Sequence, residues 1–524
     1  MRNYLLAILA GLVLFTACEP EEELTGPDRL FRPVIKGELV SNGNWLQATW
    51  YPVKSALRYK AELSQDTFKT VIATQEVDSS RVLFENLLWD APYQVRVQAY
   101  APDTVKNSGV ALLGYGRTAK FPTILLAPSL SKDDVTDGAI RVKWANSGAP
   151  ATSLKVFRTA DNVLVRELNL SQTDLTRGYR DVSGLKGNTS YTIYIYSGET
   201  NRGWETYTTK EPLLGEIVDL RGILGRPGVL QDTLPHVAGG SIILLNKGET
   251  YDISSTTILD KSLTFMSGAD FDVTTPATLY FSSNFEFAAG SNIEKLAFQD
   301  LILRGSDAAA KYVFNPTNGA TVGKLSFESC RIEAFRGLVR LRGTTTVSEF
   351  LVDNSVLSDI RGYGVLTVDD ANSKVNNIII KNSSVYNAEK LVTSRSSASS
   401  VSIENCTINE APWGGNYLVD FNANAVTSGI SISNSILGVG KSKSGDMLIR
   451  GYRAAAGTNV FVSNVYTTSD YTLTASSGGA FPGTQPYSKP AADVLTIDPV
   501  HFYLKITDTD FPGKGTAGDP RGRL

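Results

Sequence analysis

The chain is short of the residues from which many catalytic and metal sites are built. Its 524 residues include three cysteines and two histidines, His236 and His501, far apart in the sequence. Three cysteines exclude a disulfide scaffold and any paired CxxC zinc module. Two distant histidines leave little material for a His-based triad or a zinc site. Charge of one sign is also missing: 50 Lys+Arg stand against 53 Asp+Glu, a net charge of −3, so no bulk basic field favours nucleic acid. Beyond the first twenty-five residues no apolar run reaches the ~20 residues of a membrane helix. What is present is 42% hydrophobic residues, ample for buried cores and against disorder, with 45 Gly, 21 Pro and 22 Tyr, a mixture suited to short strands and turns. The length predicts two to four folding units.

Arg2 precedes an apolar run from Tyr4 to Phe15, too short to span a bilayer, which ends in Phe15-Thr16-Ala17-Cys18. Glu19, Glu21, Glu22 and Glu23 follow. A small-residue site with Cys18 directly after the apolar run resembles a bacterial lipobox, in which that Cys is lipidated. The acidic stretch behind it resembles the surface-export signal of Bacteroidota lipoproteins. The resemblance implies a signal peptide over 1–17, an acidic lipidated linker over 18–29 and an outer-membrane, cell-surface location held by lipid alone.

Residues 30–121 carry short alternating strands: Leu46-Gln-Ala-Thr-Trp50, Tyr59-Lys-Ala-Glu-Leu63 and Tyr93-Gln-Val-Arg-Val-Gln-Ala99. Leu87 precedes Tyr93 by six residues, and over 124–211 Leu185 precedes Tyr191 by the same six, with Trp144 in the place of Trp50. A Tyr opening a late strand after a Leu-containing turn predicts the tyrosine corner of Ig-like sandwiches. Both segments resemble fibronectin type III modules, which implies spacers or docking surfaces and carries no chemistry by itself.

From about residue 240 a period of 23–33 residues appears. Its aligned element is Phe298-Gln-Asp300, Phe327-Glu-Ser329, Val352-Asp-Asn354, Ile380-Lys-Asn382, Ile403-Glu-Asn405, Ile432-Ser-Asn434 and Val462-Ser-Asn464. Each places an inward apolar residue two before an Asn, or a small substitute, at a sharp bend whose amides can stack from turn to turn. These corners, with Gly239-Gly-Ser-Ile-Ile-Leu-Leu-Asn246, resemble right-handed parallel β-helices of the pectate-lyase-like type. The end, Asp508-Thr-Asp-Phe-Pro-Gly-Lys-Gly-Thr-Ala-Gly-Asp-Pro-Arg521, resembles the closing segment of β-helical lipoproteins from Bacteroidota polysaccharide-utilisation loci, whose functions are largely uncharacterised. The expected architecture is all-β: two fibronectin type III-like sandwiches, then a β-helix over 215–524 with a C-terminal cap. Cys330 and Cys406 hold one rung position three rungs apart. About 14 Å of separation exceeds the ~7 Å reach of a disulfide, so both are expected free and buried.

A further strand precedes each ladder strand: Val339-Arg-Leu-Arg342, Leu366-Thr-Val-Asp369, Val392-Thr-Ser-Arg395, Val419-Asp-Phe-Asn422 and Ile449-Arg-Gly-Tyr452. Period-two alternation turns Arg340, Thr367, Thr393, Asp420 and Arg450 outward in one column, and Arg342, Asp369, Arg395, Asn422 and Tyr452 in a second. In pectate-lyase-like enzymes this sheet floors the substrate groove, so the resemblance places the site here. Arginine offers a planar fork matched to carboxylate, and aromatic faces receive sugar C–H groups. Trp413, Tyr417 and Tyr452 lie on or beside these strands, and Arg336, Arg361 and Lys441 each fall seven residues after a corner.

The expected ligand is an acidic polysaccharide, held by Arg340, Arg342, Asp369, Arg395, Asp420, Asn422, Arg450, Tyr452 and Trp413, in partnership with outer-membrane glycan-import components. No cofactor is called for and no nucleic-acid partner is expected. A second reading is a polysaccharide lyase in the same groove, with Arg342 or Arg395 as base, Asp369 as a further catalytic candidate, and Asp369, Asp370 or Asp420 as calcium ligands. Arginine is a poor base unless its pKa falls strongly, and no Lys stands in the columns. A hydrolase needs two carboxylates roughly 5–9.5 Å apart; Asp369 and Asp420, two rungs apart, allow it without favouring it. A third reading is adhesion to a neighbouring surface. Gly440-Lys441-Ser442 lacks the first Gly and the helix of a phosphate loop, and Pro512 interrupts a calcium-loop pattern at 508–519.

Overall fold

The structure, a computed structural model, describes residues 29–89, 91–119, 122–127, 134–442, 448–474 and 479–524. The segment expected to be a signal peptide, Cys18 and the acidic stretch lie outside the described residues. The chain forms two compact units, the second made of residues 131–137 and Glu211–Leu524.

In the first unit two sandwiches repeat one strand plan. The first pairs Leu46–Thr49 with Arg81–Phe84, facing a four-stranded sheet in the order Ala73–Val77, Arg58–Ser64, Pro92–Tyr100, Ala111–Arg117. Alternation puts Tyr93, Val95, Val97 and Ala99 in the core, with Trp50 fully buried edge-on to Tyr59 at 5.1 Å. The second pairs Ala139–Lys143 with Tyr179–Ser183, against the order Thr200–Thr208, Ser190–Ser197, Ser153–Arg158, Val163–Asn169. Both tyrosine corners close as expected. The Tyr93 hydroxyl accepts the Leu88 N–H, and the Tyr191 hydroxyl the Lys186 N–H, each at 2.9 Å. Each bond satisfies a backbone donor that the turn would otherwise strand, worth about 1 kcal/mol.

The second unit is a parallel β-solenoid. Its ladder-side strands pair in register from Ser241–Leu245 through Leu263–Ser267, Asn292–Gln299, Thr321–Glu328, Thr346–Asp353, Lys374–Lys381, Ser400–Glu404 and Ile430–Leu437 to Val460–Thr467. Parallel pairing with short crossovers puts identical rung positions one above another, so inward residues stack in columns. Phe265, Phe298 and Phe327 stack at 5.0 and 5.2 Å with planes 8° and 11° apart. Val352, Ile380, Ile403 and Ile432 continue the column, all fully buried. Each such side chain contributes about 1.5–3 kcal/mol by leaving water.

All seven corner residues named from the sequence adopt the left-handed conformation, with φ between 47° and 55°. Asn tolerates it because its short amide bonds locally. The amides also bond between rungs: Asn405 Nδ2 donates to Asn382 Oδ1 (3.1 Å) and Asn464 Nδ2 to Asn434 Oδ1 (2.9 Å). Asn382 Nδ2 instead donates to Asp353 Oδ1, so the ladder is interrupted there. The next position forms a buried column of hydroxyls and thiols. Ser355 and Ser435 accept the backbone N–H groups of Cys330 and Cys406, each at 3.0 Å, while Cys406 Sγ donates to the Glu404 carbonyl. Cys330 and Cys406 are free and buried, as expected, and burial pushes both thiols up to about 12.

A second corner was not foreseen. Ala334, Asp359, Asn387 and Glu410, each five residues after a ladder corner, also have positive φ, from 50° to 63°. Nor does the C-terminal segment simply close the stack. It lies back along the ladder corners: Asp519 Oδ2 accepts from Ser384 Oγ (2.7 Å), Arg521 donates to the Asn354 and Ser355 carbonyls (2.7 and 2.8 Å), and Arg523 donates to Asn405 Oδ1 (2.8 Å). Val494, Leu495, Ile506, Phe511 and Ala517 of this segment cluster with Ile436 and Tyr466 of the rungs.

Candidate functional site

The candidate face is the sheet that runs Tyr312–Phe314, the C-terminal half of Arg331–Leu341, the C-terminal half of Val356–Val368, Val392–Ser394, Tyr417–Asp420 and Arg450–Arg453. Phe314, Val339, Leu366, Val392 and Val419 stack inward in one column, as alternation requires. Arg340, Thr367, Thr393 and Asp420 share the outward column.

The last rung departs from the expected register. Asp420 lies opposite Arg453, Tyr417 opposite Arg450, and Val419 opposite Tyr452. Arg450 therefore does not extend the Asp420 column, and Tyr452 is not an outward neighbour of Asn422. Tyr452 takes the apolar line instead, its ring 5.5 Å from Phe481. Asp420 is held by Arg453 through two bonds of 2.7 Å, and these raise the Arg453 pKa further. Asn422 is exposed at a left-handed bend and donates its backbone N–H to Asp420 Oδ1.

Arg342, Asp369 and Arg395 occupy successive rungs of one line, but their guanidiniums do not all meet Asp369. Arg340 crosses from the adjacent column and grips the Asp369 carboxylate, with Nε at 2.8 Å. Arg395 Nε lies 3.3 Å from the other oxygen. Arg342 turns to the Asn315 carbonyl at 3.3 Å, and its Nε is buried without a partner. Asp369 is 14% exposed and Arg395 68%, so the acid is sunk while the cation above it meets solvent. Burial alone would lower the Arg340 pKa; the Asp369 contact outweighs it and the net direction is up. Asp370 caps its own turn, accepting from the Asn372 backbone at 2.8 Å.

The aromatic residues are engaged by cations. Trp413 has Arg361 and Lys441 over its ring at 4.6 and 5.5 Å, with Lys441 also bonded to Glu410 and Asn387. Tyr417 has Arg450 and Arg453 at 5.3 and 4.8 Å. Tyr363, unnoticed in the sequence, has Arg336 and Arg340 at 5.0 and 3.9 Å and packs beside Tyr312. Gly337 admits that pair, because a Cβ there would sit 2.7 Å from the Tyr363 Cβ. Rings flanked by guanidinium offer less free face to a sugar than the sequence suggested; they hold the cations in place.

Chemically, the face presents five arginines, Arg340, Arg342, Arg395, Arg450 and Arg453, over two aspartates, each already paired with arginine. Among the described residues no group of three or more His, Cys, Asp or Glu is arranged to hold a metal ion. The arrangement suits holding anions: charge-assisted donors are fixed on a rigid sheet, with no unpaired carboxylate in the columns poised to take a proton.

Residues 249–388 match the family model described as a domain of unknown function (DUF4957), and residues 401–521 the one described as a domain of unknown function (DUF5123). The boundary between them falls inside one continuous stack, since Lys374–Lys381 pairs directly with Ser400–Glu404. No curated protein matches the chain. Among solved structures the chain is similar to the FN1–FN3 domains of chicken CNTN1, at 17% identity over 35% of this chain and 69% of that one, with a TM-score of 0.16. The β-helix that the strand pairings define is compatible with polysaccharide binding or cleavage.

Proposed function

We propose that this protein is a cell-surface lipoprotein that holds an acidic, uronate-containing, pectin-like polysaccharide for degradation and uptake. The supporting observation is the arginine-rich face of the β-helix, whose two aspartates are both engaged by arginine, leaving an excess of positive charge toward solvent. Arg342 and Arg450 have no carboxylate partner among the described residues, and arginine suits sugar carboxylates through its planar fork. The two sandwiches act as spacers, and lipid at Cys18 anchors the chain to the outer membrane in the manner of the Bacteroidota utilisation-locus lipoproteins it resembles. Components of an outer-membrane glycan importer are the partners this role calls for. Binding is favoured over the lyase reading because Arg342 and Arg395, its candidate bases, are arginines, and of its candidate calcium ligands Asp369 and Asp420 are paired with arginine while Asp370 caps its own turn.

The test is affinity electrophoresis of protein lacking residues 1–17, in gels containing acidic or neutral polysaccharides, with unsaturated-uronate absorbance followed in parallel. Acidic polymers should retard the protein while absorbance stays flat. Arg342→Ala with Arg395→Ala should weaken retention about tenfold, the worth of two charge contacts, with thermal unfolding almost unmoved. Unchanged retention in the double variant removes this face from the site; rising absorbance makes the protein a lyase.

A further inference from the structure

We infer that the first sandwich binds a neutral sugar, in a trough on the outer face of its four-stranded sheet. The trough runs along Pro92–Tyr100, with Gln94 and Arg96 as its floor. One wall is the loop that follows Arg58–Ser64 and carries Thr67 and Phe68. The other is the edge strand Ala111–Arg117 with the residue before it, which supplies Val110, Leu112 and Tyr115. Gln94 lies opposite Tyr115 in the ladder and Arg96 opposite Leu112. Leu112 and Tyr115, three residues apart, share one face because the pairing shifts register between them. The cavity measures about 270 Å³, just under the ~300 Å³ at which sites for drug-sized ligands begin, and so suits one or two sugar rings.

The loop wall is built against backbone preference. Thr67 and Phe68 both lie in the left-handed region, with φ of 59° and 62°, which β-branched and aromatic residues seldom adopt. Ser64 Oγ, on a fully buried residue, accepts the Asp66 and Phe68 N–H groups at 3.1 and 3.0 Å, and Asp66 Oδ1 accepts from Ser64 Oγ and from the Thr70 N–H. These bonds set the Phe68 ring against the Arg96 guanidinium, 4.4 Å from its centre. Glu62 accepts from Arg96 Nε and pairs with its Nη2, each at 2.6 Å, and Lys60, outside the lining, reaches the same carboxylate at 2.8 Å. The charge of the trough's own cation is therefore met, and a uronate gains nothing from it that Glu62 does not already take. The polar groups left open are uncharged. Among the described residues neither the Gln94 amide nor the Tyr115 hydroxyl has a hydrogen-bond partner. An amide accepts through its carbonyl and donates through its NH₂, the pairing that two neighbouring sugar hydroxyls call for. Tyr115, 67% exposed, offers its ring to the apolar C–H face of the same sugar. A purely apolar partner surface would instead cover the Gln94 amide without bonding it, which costs binding.

The experiment runs protein lacking residues 1–17 in affinity gels containing linear galactan, arabinan or mannan, beside a gel without polymer. At least one of these neutral polymers should retard it. Tyr115→Ala and Gln94→Ala should each weaken that retention about threefold, the scale of one ring contact or one hydrogen bond, and leave retention on polygalacturonate as in the parent. Arg342→Ala with Arg395→Ala should keep the neutral retention in full. Thermal unfolding of each variant checks that both units persist. No retardation by any of the three neutral polymers overturns the inference. Neutral retention that survives both trough variants, or that falls with the two arginines, also overturns it, because the sugar would then lie elsewhere. A matching fall on polygalacturonate in the trough variants would make the ligand acidic and refute the neutral assignment. A parent that sediments as a dimer, with Tyr115→Ala a monomer, would make the trough a contact between copies and refute the sugar site. The acidic-polysaccharide reading of the β-helix survives a negative result on the neutral polymers, and the trough survives a negative result on polygalacturonate.

Discussion

The C-terminal segment docks along the ladder corners through a small polar cluster, and removing Asp519 should undock it. Asp519 is fully buried. Its Oδ2 accepts from Ser384 Oγ and from Arg521 Nη2, both at 2.7 Å, and its Oδ1 accepts from Arg521 Nε at 3.0 Å. Arg521 in turn donates to the carbonyls of Asn354 and Ser355, so the ion pair joins the segment to two successive rungs. Asp519→Ala leaves the partly buried guanidinium without its counter-charge. Breaking such a pair from one side costs about 3–5 kcal/mol, enough to raise the population of the undocked segment by a factor on the order of 10² to 10³. Hydrogen exchange read by mass spectrometry is the assay. Amides of residues 504–524 should lose protection by that factor, while those of the rungs between 263 and 381 keep theirs. If residues 504–524 stay protected in Asp519→Ala, the segment is held by the apolar cluster around Ile436 and Phe511 alone, and the polar account is refuted. Loss of protection throughout the solenoid would instead mean that the segment belongs to the cooperative core.

Three further outcomes are expected, the first being the loss of retention in the Arg342→Ala, Arg395→Ala double variant. Hydrogen bonds from Lys489 and Tyr487 lower the Asp508 pKa from 3.8 to about 2. A carboxyl lowered by folding stabilises above its unfolded pKa, so this contribution fades as pH falls from near 4 and is gone below about 2. Asp508→Asn should unfold at lower temperature than the parent at neutral pH, with the gap closing as pH approaches 2; a gap independent of pH would contradict the assignment. Cys330 and Cys406, buried with thiols pushed up to about 12, should resist alkylation at neutral pH until the rungs unfold. Rapid labelling of either in native protein would be inconsistent with the buried column.

The repeating corners were legible because one residue type serves one backbone need. A left-handed bend next to an inward apolar residue selects Asn, and the triplets ending at Asn354, Asn382, Asn405, Asn434 and Asn464 show both features. The second corner escaped notice because Ala334, Asp359, Asn387 and Glu410 share no chemistry, their left-handed backbone being imposed by the rung. In the site, alternation served while each rung kept its length. It slipped in the last rung because Ile449 looks like the inward partner of Val419, whereas Tyr452 fills that place. Arg453 was overlooked for the same reason. The direction of each guanidinium was not legible at all. Arg340 and Arg342 are two residues apart on one strand, yet one grips Asp369 and the other a carbonyl, a choice made by Tyr363 and Asn315 from other rungs.

The interleaving of acids with arginines on the face follows from how a parallel stack must be built. Identical rung positions lie ~4.8 Å apart, and like charges directly opposite one another on a sheet are destabilising. A column of arginines on every rung would repel itself, whereas Asp369 between Arg340 and Arg395, and Asp420 against Arg453, neutralise that repulsion. A durable cationic face on this fold therefore interleaves acids that anchor the guanidiniums of neighbouring rungs. The Debye length at physiological salt is about 8 Å, longer than one rung. A polyanion that comes within that distance, before contact, meets the sum, five arginines over two aspartates, and is drawn in. Added salt should therefore slow association with every acidic polymer.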